Sequence, residues 1–169
     1  MPHPNTKLLQ DAYEAFSHGD LGPLLAALTD DISWRDSTLG PLAGDYTGKD
    51  QVLGLFGEMM KVHGGTLRLE VADIFANDDR GVVLTREAGT ADGEHLTWTG
   101  VHLWGFRNGR CAQFTAYADA GYQRFWSAKN PGPAPGHSHD PDHRSTLQTH
   151  LTNQALGRGS PAAPEEGGQ

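Results

Sequence analysis

The chain has 169 residues, 37% of them hydrophobic, which is ordinary for a folded globular protein and argues against disorder along its whole length. Its 13 Lys and Arg stand against 21 Asp and Glu, and the resulting net charge of -8 disfavours binding to the phosphate backbone of nucleic acids. The apolar runs are too short to cross a membrane, the single Cys111 permits no internal disulfide, and the N-terminus lacks the segments of a signal peptide. We therefore expect a cytoplasmic protein that binds neither nucleic acids nor membranes.

Two helices are predicted at the start of the chain. Apolar side chains form one helical stripe over residues 6–18, and Gly19 stands where a helix C-terminus is expected. Asp20 is a suitable N-cap for a shorter helix that ends near Leu28. Alternating residues at Ile32–Asp36 then indicate a short strand, and a glycine-rich loop follows it.

A third helix and several long strands are predicted next. The helix is amphipathic, with apolar residues at helical spacing: Val52, Leu55, Phe56, Met59 and Met60. Beyond residue 65 the apolar residues alternate, and Asp92-Gly93 and Asn108-Gly109 separate alternating runs, as in tight hairpin turns whose central residues need positive φ. This order predicts an α+β fold in which three N-terminal helices pack on a curved antiparallel meander of four long strands around an apolar cavity.

Residues 127–169 differ in composition from the rest of the chain. They contain no Trp, Tyr or Phe and hold six of the ten prolines, so they cannot bury enough apolar surface to offset the entropy of ordering. We expect a folded domain over residues 1–126 and a largely disordered tail, in which leucine spacing allows only a short helix over about 142–156. Three histidines and two aspartates in His137–His143 could hold a metal loosely, but no rigid scaffold surrounds them and no metal site is predicted.

The order and spacing of several short segments carry a family resemblance over residues 5–126. The segments are Ala15–Leu21, Leu28–Trp34, Ala43–Asp50, Val101–Trp104, Asn108–Arg110, Phe114–Asp119 and Phe125–Trp126. They resemble the nuclear transport factor 2-like superfamily and, within it, the SnoaL-like polyketide cyclases and the ketosteroid isomerases. The resemblance implies a cone-shaped, cystatin-like barrel. It specifies the reaction less closely, because the same fold hosts isomerases, cyclases, dehydratases, epoxide hydrolases and non-catalytic domains.

The resemblance implies two catalytic carboxylates. Asp36, at the end of the first strand, aligns with the general base of the ketosteroid isomerases, and Asp119 stands where SnoaL-like cyclases carry an acid/base aspartate. Each residue has a purely structural alternative. Asp36 could cap the turn that follows it in solvent, and Asp119 could be the N-cap of the final helical segment.

His102 is the third catalytic candidate. Its strand parity matches that of Trp98 and Trp104, which predicts a position on the face lining the cavity, where it could hydrogen-bond a substrate oxygen or relay a proton. The alternative is a core histidine satisfied by a backbone group. Arg86-Glu87-Ala88 lacks the second aspartate that epoxide hydrolysis in the superfamily requires, which argues against that reaction.

Large side chains are expected to bind the substrate: Tyr13, Trp34, Phe56, Met60, Trp98, Trp104 and Tyr117. For Tyr13 core packing is the alternative, because Ala12 aligns with the oxyanion-binding tyrosine of the isomerases, and this departure argues against steroid isomerisation.

These patterns predict a cofactor-free enzyme of isomerase or cyclase type, acting by general acid/base catalysis on a hydrophobic, carbonyl-bearing substrate such as a polyketide-like metabolite. Enolisation needs only a positioned base and a donor to the developing oxyanion, so neither a cofactor nor a metal is expected. The alternative is a non-catalytic ligand-binding or dimerisation domain of the same fold. A homodimer is expected because the convex sheet face at Leu67, Leu69 and Val71, or at their neighbours of opposite parity, needs cover, and members of the superfamily commonly pair through the sheet.

Overall fold

A computed structural model of the protein describes residues 1–130. Its helices are Pro4–Ser17 (α1), Gly22–Ala27 (α2), Lys49–Val62 (α3) and Ala120–Lys129 (α4). Its strands are Leu28–Asp36 (β1), Gly44–Thr47 (β2), Arg68–Ala76 (β3), Arg80–Ala91 (β4), Glu94–Arg107 (β5) and Arg110–Ala118 (β6). The predicted α+β order is confirmed, with a short additional strand, β2, in the glycine-rich loop.

The end of the folded part extends slightly further than expected. Helix α4 continues to Lys129, past the predicted domain boundary at residue 126. The predicted disorder beyond residue 130, the short helix near 142–156 and the histidine cluster at His137–His143 lie outside the described residues.

The strands form one curved sheet in the order β2-β1-β6-β5-β4-β3. All neighbouring strands are antiparallel except β1 and β6, which run parallel, so the sheet is mixed rather than wholly antiparallel. Irregularities in register between Val71 and Asp73 and between Gly105 and Phe106 bend the long strands. The sheet does not close into a full barrel, because β2 and β3 remain as its two edges.

Two tight turns fix the register of the long hairpins. Asp92 and Gly93 have φ values of 49° and 78°, and Asn108 and Gly109 have φ values of 52° and 70°. These are the positive values that the Asp-Gly and Asn-Gly pairs predict. The turns therefore determine which side chains of β4, β5 and β6 lie on the same face.

The helices cover the inner face of the sheet. Leu9 and Ala12 of α1 and Val52 of α3 are almost fully buried, and they belong to one core cluster with Val83 and Trp104 of the sheet. A smaller cluster forms around Trp98 and includes side chains of α4. Cys111 is fully buried. None of the helices within residues 1–130 is long and apolar enough to cross a membrane.

Candidate functional site

A mainly apolar cavity of about 120 Å³ lies between the helices and the inner face of the sheet. Its walls are aromatic and contact one another directly. Trp34 stacks on Phe114 with ring centroids 3.7 Å apart, and both Phe56 and Trp104 meet the Trp34 ring edge to face. Such pairs form a rigid apolar wall, so polar groups that reach this cavity are partly shielded from water.

A chain of polar side chains enters one side of the cavity. The Tyr13 hydroxyl of α1 lies 2.7 Å from Nδ1 of His102 on β5, and the indole N–H of Trp104 donates to the same hydroxyl over 3.1 Å. Tyr13 is 7% exposed, and burial raises the pKa of its hydroxyl well above the ordinary value. The phenol is therefore neutral and held in place by two partners from the sheet.

The other nitrogen of His102 faces a buried carboxylate that was not predicted as a site residue. Nε2 of His102 lies 3.4 Å from Oε1 of Glu87 on β4, and the two side chains are only 12% and 11% exposed. The Thr85 hydroxyl donates to the same Glu87 oxygen over 2.7 Å. Burial raises the pKa of Glu87, but the hydrogen bond and charge of His102, together with the hydroxyl of Thr85 and the side chain of Trp98, outweigh burial and hold that pKa below its ordinary value.

A glycine makes room for this carboxylate. Gly100 on β5 pairs with Thr85 on β4, between the pairs formed by Glu87 and by His102. A Cβ atom at Gly100 would come within 2.5 Å of Glu87 Oε1 and closer still to the Thr85 hydroxyl. Only glycine therefore allows Glu87 to reach along the inner face to both Thr85 and His102.

Asp36 reaches the cavity from the end of β1, as predicted. It lines the cavity and is partly exposed, and one of its carboxylate oxygens accepts a hydrogen bond from the Thr38 backbone N–H over 2.9 Å. Burial, and then the negative charge of Asp36, raise the pKa of the neighbouring Tyr122 to about 12. Asp36 thus both caps a turn and presents a charge to the cavity.

Asp119 does not line this cavity, contrary to the expectation for a catalytic acid. Its side chain is the N-cap of α4 and accepts from the backbone N–H groups of Gly121 and Tyr122, while its other oxygen accepts from Thr99. The first of these roles is the structural alternative that the sequence left open. The carboxylate lies at a shallow surface groove instead.

Six of the seven predicted substrate-binding residues line the cavity: Tyr13, Trp34, Phe56, Trp98, Trp104 and Tyr117. Met60 does not, because the inner face of α3 passes through Phe56 and Met59, which leaves Met60 46% exposed. Met59 lines the cavity in its place. Tyr117 contacts the cavity while 46% of its surface stays exposed.

Glu87 and His63 are two of the polar cavity residues that were missed in the sequence. Glu87 has the same strand parity as the buried Val83 and Thr85, and a charged residue on a buried face is the signal that could have identified it. The second is His63, the C-cap residue of α3, which is 3% exposed. Its position at a helix end gives no periodic signal.

Among residues 1–130 no group of His, Cys, Asp and Glu side chains has the geometry of a metal site.

The family model for the SnoaL-like domain matches residues 9–114. No curated protein matches the chain significantly in sequence. Among solved structures, Bal32a from a soil-derived mobile gene cassette superimposes with a TM-score of 0.67 at 24% identity, over 73% of this chain and 96% of that one. TerC, co-crystallized with polyporic acid, gives a TM-score of 0.62 at 24% identity, over 69% and 92% of the two chains.

A further solved structure is similar in sequence as well as in fold. It is a nuclear transport factor 2-like protein of unknown function from Burkholderia pseudomallei K96243, with a TM-score of 0.63 at 31% identity, over 69% of this chain and 91% of that one. The family-model match covers more than half of the chain and includes the strands that carry Glu87 and His102. The chain therefore belongs to the SnoaL-like domain family of the nuclear transport factor 2-like superfamily.

Proposed function

We propose that the protein is a small-molecule enzyme of isomerase or cyclase type, which moves a proton on a hydrophobic, carbonyl-bearing substrate such as a polyketide-like metabolite. The observation that carries this proposal is the Glu87–His102 pair, with both side chains about nine-tenths buried and lining an aromatic cavity. Burying a carboxylate and an imidazole as an ion pair carries a desolvation penalty that opposes folding, and such pairs are typical of functional sites. The fold similarity to TerC, which was co-crystallized with polyporic acid, is consistent with a small organic ligand.

In this proposal Glu87 is the general base. Its lowered pKa keeps the carboxylate ionised near neutral pH, and one of its oxygens is already occupied by Thr85 and His102. In the proposal the second oxygen accepts a proton from the carbon next to the substrate carbonyl. The apolar walls exclude water, which strengthens the electrostatic interactions that stabilise the resulting enolate.

Tyr13 is the donor to the substrate oxygen in the same proposal. Its oxygen accepts one hydrogen bond from Trp104 and has one hydrogen to give. When His102 is neutral and donates from Nε2 to Glu87, Nδ1 accepts the Tyr13 hydrogen. When His102 is protonated, Nδ1 donates to the Tyr13 oxygen instead, and the hydroxyl hydrogen is free to point at a developing oxyanion. Protonated His102 therefore prepares Tyr13 to stabilise the enolate.

Asp36 is the second proton carrier of the proposal. It reaches the cavity from the end of β1 and is partly exposed, so in this scheme it takes up a proton from solvent and delivers it to a different carbon of the substrate, while the proton that Glu87 removed is released to solvent. Two proton carriers from different strands are what an isomerase or a ring-closing enzyme requires. Asp119 has no part in this scheme, because its oxygens are engaged by α4 and Thr99.

Hydrogen–deuterium exchange tests the proposal without knowledge of the natural substrate. A panel of small hydrophobic ketones is incubated in deuterated water, and deuterium uptake next to the carbonyl is followed by mass spectrometry. The protein should accelerate exchange, and Glu87→Gln should lower the rate by about 100-fold or more, the usual contribution of a positioned base. The control variant is Glu58→Gln, an exposed carboxylate on α3, which should exchange at the unmodified rate. Equal rates for the two variants would exclude Glu87 as the base.

The second candidate function is ligand binding without catalysis. It is favoured by the same apolar cavity, which needs no proton transfer to hold a ligand. This candidate would be supported over the enzyme if at least one ketone of the panel bound to the protein while none of them showed accelerated exchange.

We also propose that the protein is a homodimer, paired through the outer face of the sheet. Leu67 and Leu69 line the cavity, so they are not the residues that need cover. Phe75, Leu84 and Leu103 on three neighbouring strands are instead 56%, 36% and 39% exposed. Burying such a patch favours association. Sedimentation should give a dimer mass, and Leu103→Lys should shift it to the monomer, whereas a monomer at all concentrations would contradict the proposal.

A further inference from the structure

A small side chain separates two polar groups on the inner face of the sheet. Ala116 of β6 pairs with Asp36 of β1 on one side and with His102 of β5 on the other. Because neighbouring strands lie about 4.8 Å apart, the backbones of Asp36 and His102 are roughly 10 Å apart, with one methyl group between them. Ala116 lines the cavity and stays partly exposed. A ligand that lies over Ala116 therefore meets Asp36 on one side and His102 on the other.

Asp36 has no basic partner in the part of the chain that the structure describes. One of its oxygens accepts the Thr38 backbone N–H, and none of the ion pairs within residues 1–130 includes this carboxylate. Burial, and then the negative charge of Asp36, raise the pKa of both Tyr46 and Tyr122. Neighbouring groups therefore experience the charge of Asp36 without a counter-charge beside it.

The remaining charged groups of the cavity do not supply that counter-charge. No Lys or Arg among residues 1–130 lines the cavity. Its second carboxylate, Glu87, is paired with His102. Burial lowers the pKa of His63, so this ring is neutral near pH 7. Two carboxylates therefore face at most one protonated imidazole, and the cavity keeps at least one uncompensated negative charge.

Apolar walls strengthen the effect of this charge on a ligand. Trp34 precedes Asp36 by two residues, lies on the same face of β1 and is 7% exposed. A charge beside such a wall acts through a medium less polar than water, so it attracts or repels another charge more strongly than a carboxylate in bulk solvent does. An anion that enters loses its hydration and meets repulsion. An ammonium group also loses water, but it gains the attraction of the carboxylate and of aromatic ring faces.

We propose that the cavity selects its ligand by charge, with Asp36 as the specificity-determining residue: it takes hydrophobic compounds that are uncharged or carry a protonated amine, and it excludes carboxylates and phosphate esters. That the ligand includes a carbonyl group rests on the proposed function. The charge selection does not, because it acts as the ligand enters, before Asp36 takes up the proton that the proposed reaction requires. A protein that only binds the compound would show the same selection.

Three probes of similar shape test this inference in the full-length protein. 2-Phenylethylamine, 2-phenylethanol and 3-phenylpropanoate each carry one ring and a short chain, which at pH 7 ends in an ammonium, a hydroxyl or a carboxylate group. Calorimetry should show that the amine binds most tightly and the carboxylate least tightly. The two affinities should differ by about tenfold, as expected for one partly screened charge. Added salt should reduce this difference, because Asp36 is partly exposed.

A matched pair of variants tests whether the preference comes from Asp36. Asp36→Asn keeps an acceptor for the Thr38 N–H but removes the charge, so the amine should lose most of its advantage. Asp36→Glu keeps the charge and should keep the order of the probes. The control is Asp45→Asn, which changes the net charge by the same amount at an exposed carboxylate paired with Arg35 and should retain the full preference.

Ala116→Val separates binding in the cavity from attraction to the acidic surface of the protein. It keeps every charge but narrows the space between Asp36 and His102, so the amine should bind more weakly. Equal affinity for the three probes, tightest binding of the carboxylate, or no binding of the amine would overturn the inference. An equal loss of preference in Asp36→Asn and Asp45→Asn, or unchanged amine affinity in Ala116→Val, would also overturn it.

The outcome is independent of the test for catalysis. An amine preference without accelerated ketone exchange would support the charge selection and contradict only the enzymatic proposal. Accelerated exchange without the preference would contradict only the charge selection.

Discussion

Glu87 lies within β4 and Asp119 directly follows β6, and both carboxylates have lowered pKa values, but for different reasons. The pKa of Asp119 is lowered first by the Thr99 backbone and also by the N–H groups that begin α4. Glu87 lies within β4 on the buried face, where burial acts against its charge and His102 outweighs that effect. A strand end followed by a helix therefore favours a cap, whereas a charged residue inside a buried strand face indicates a reactive group.

Gly100→Ala should cause the largest loss of ketone exchange, because it disturbs the position of Glu87. The added methyl group would displace the carboxylate from Thr85 and His102, so ketone exchange should fall by about 100-fold. Overpacking should also lower the free energy of unfolding by about 1–3 kcal/mol. Exchange rates and chemical denaturation measure the two effects. Gly54→Ala on α3, where nothing lies within 4 Å of the added atom, is the control and should lose neither activity nor stability.

Tyr13→Phe should cause a smaller but distinct loss. It removes the partner of the Trp104 indole and of His102 Nδ1, so unfolding free energy should fall by about 1–3 kcal/mol and exchange should slow. The matched control is Tyr46→Phe, which loses only a hydrogen bond to the Leu42 carbonyl at the edge of the cavity. Equal exchange rates in the two variants would show that Tyr13 has no role in the reaction.

The pH dependence of exchange should reveal the ionisation of Glu87. Its pKa in the folded protein lies below the ordinary 4.5, so the carboxylate is ionised above that pH. On the acid side, activity and the stability that this ionisation contributes should both be lost as the pH falls through the lowered pKa. Thr85→Val removes one hydrogen bond to the charged form of Glu87 and should therefore move the acid limb of the pH–rate profile to higher pH. Thr85→Ser keeps the hydroxyl and should leave the acid limb where it is in the unmodified protein. If the acid limb did not move in Thr85→Val, it would belong to a group other than Glu87. The titratable neighbours of Glu87 are His102, His63 and Tyr13.

Asp119→Ala should have the smallest effect on the reaction. Loss of the cap should cost about 0.5–2 kcal/mol of unfolding free energy, with exchange unchanged. Asp119→Asn should retain most of the stability, because asparagine is an equally good N-cap. A large loss of exchange in the well-folded Asn variant would restore Asp119 as a catalytic candidate.

Local patterns in the sequence were enough to predict most elements of the fold. The positive φ values at Asp92-Gly93 and Asn108-Gly109 and the inner face of α3 through Phe56 follow from residue type and spacing. The pairing of β1 with β2 and β6 does not follow from local patterns, because it depends on contacts between distant parts of the chain. Met60 was misplaced because a five-residue helical stripe is wider than the face that α3 buries.

The candidate site was predicted only in part, because some of its residues follow from local patterns and others depend on contacts between distant elements. His102 and the aromatic walls follow from strand parity. Glu87 was accessible to the same parity argument, but Arg86-Glu87-Ala88 was considered only as a possible motif for epoxide hydrolysis, for which the second aspartate is missing. The role of Gly100 depends on a side chain from the neighbouring strand, and the buried position of His63 depends on the way α3 meets β4. Neither is encoded in a local pattern.

The parallel contact between β1 and β6 has a consequence for how the protein is made. Trp34 from the first strand and Phe114 from the last stack on each other, so they meet only after most of the domain has been synthesised. Long-range pairings of this kind form late, since the intervening chain must first be brought together. On the ribosome, a nascent chain lacking β6 would have no complete binding cavity, and a ligand could stabilise the protein only after release of this last strand.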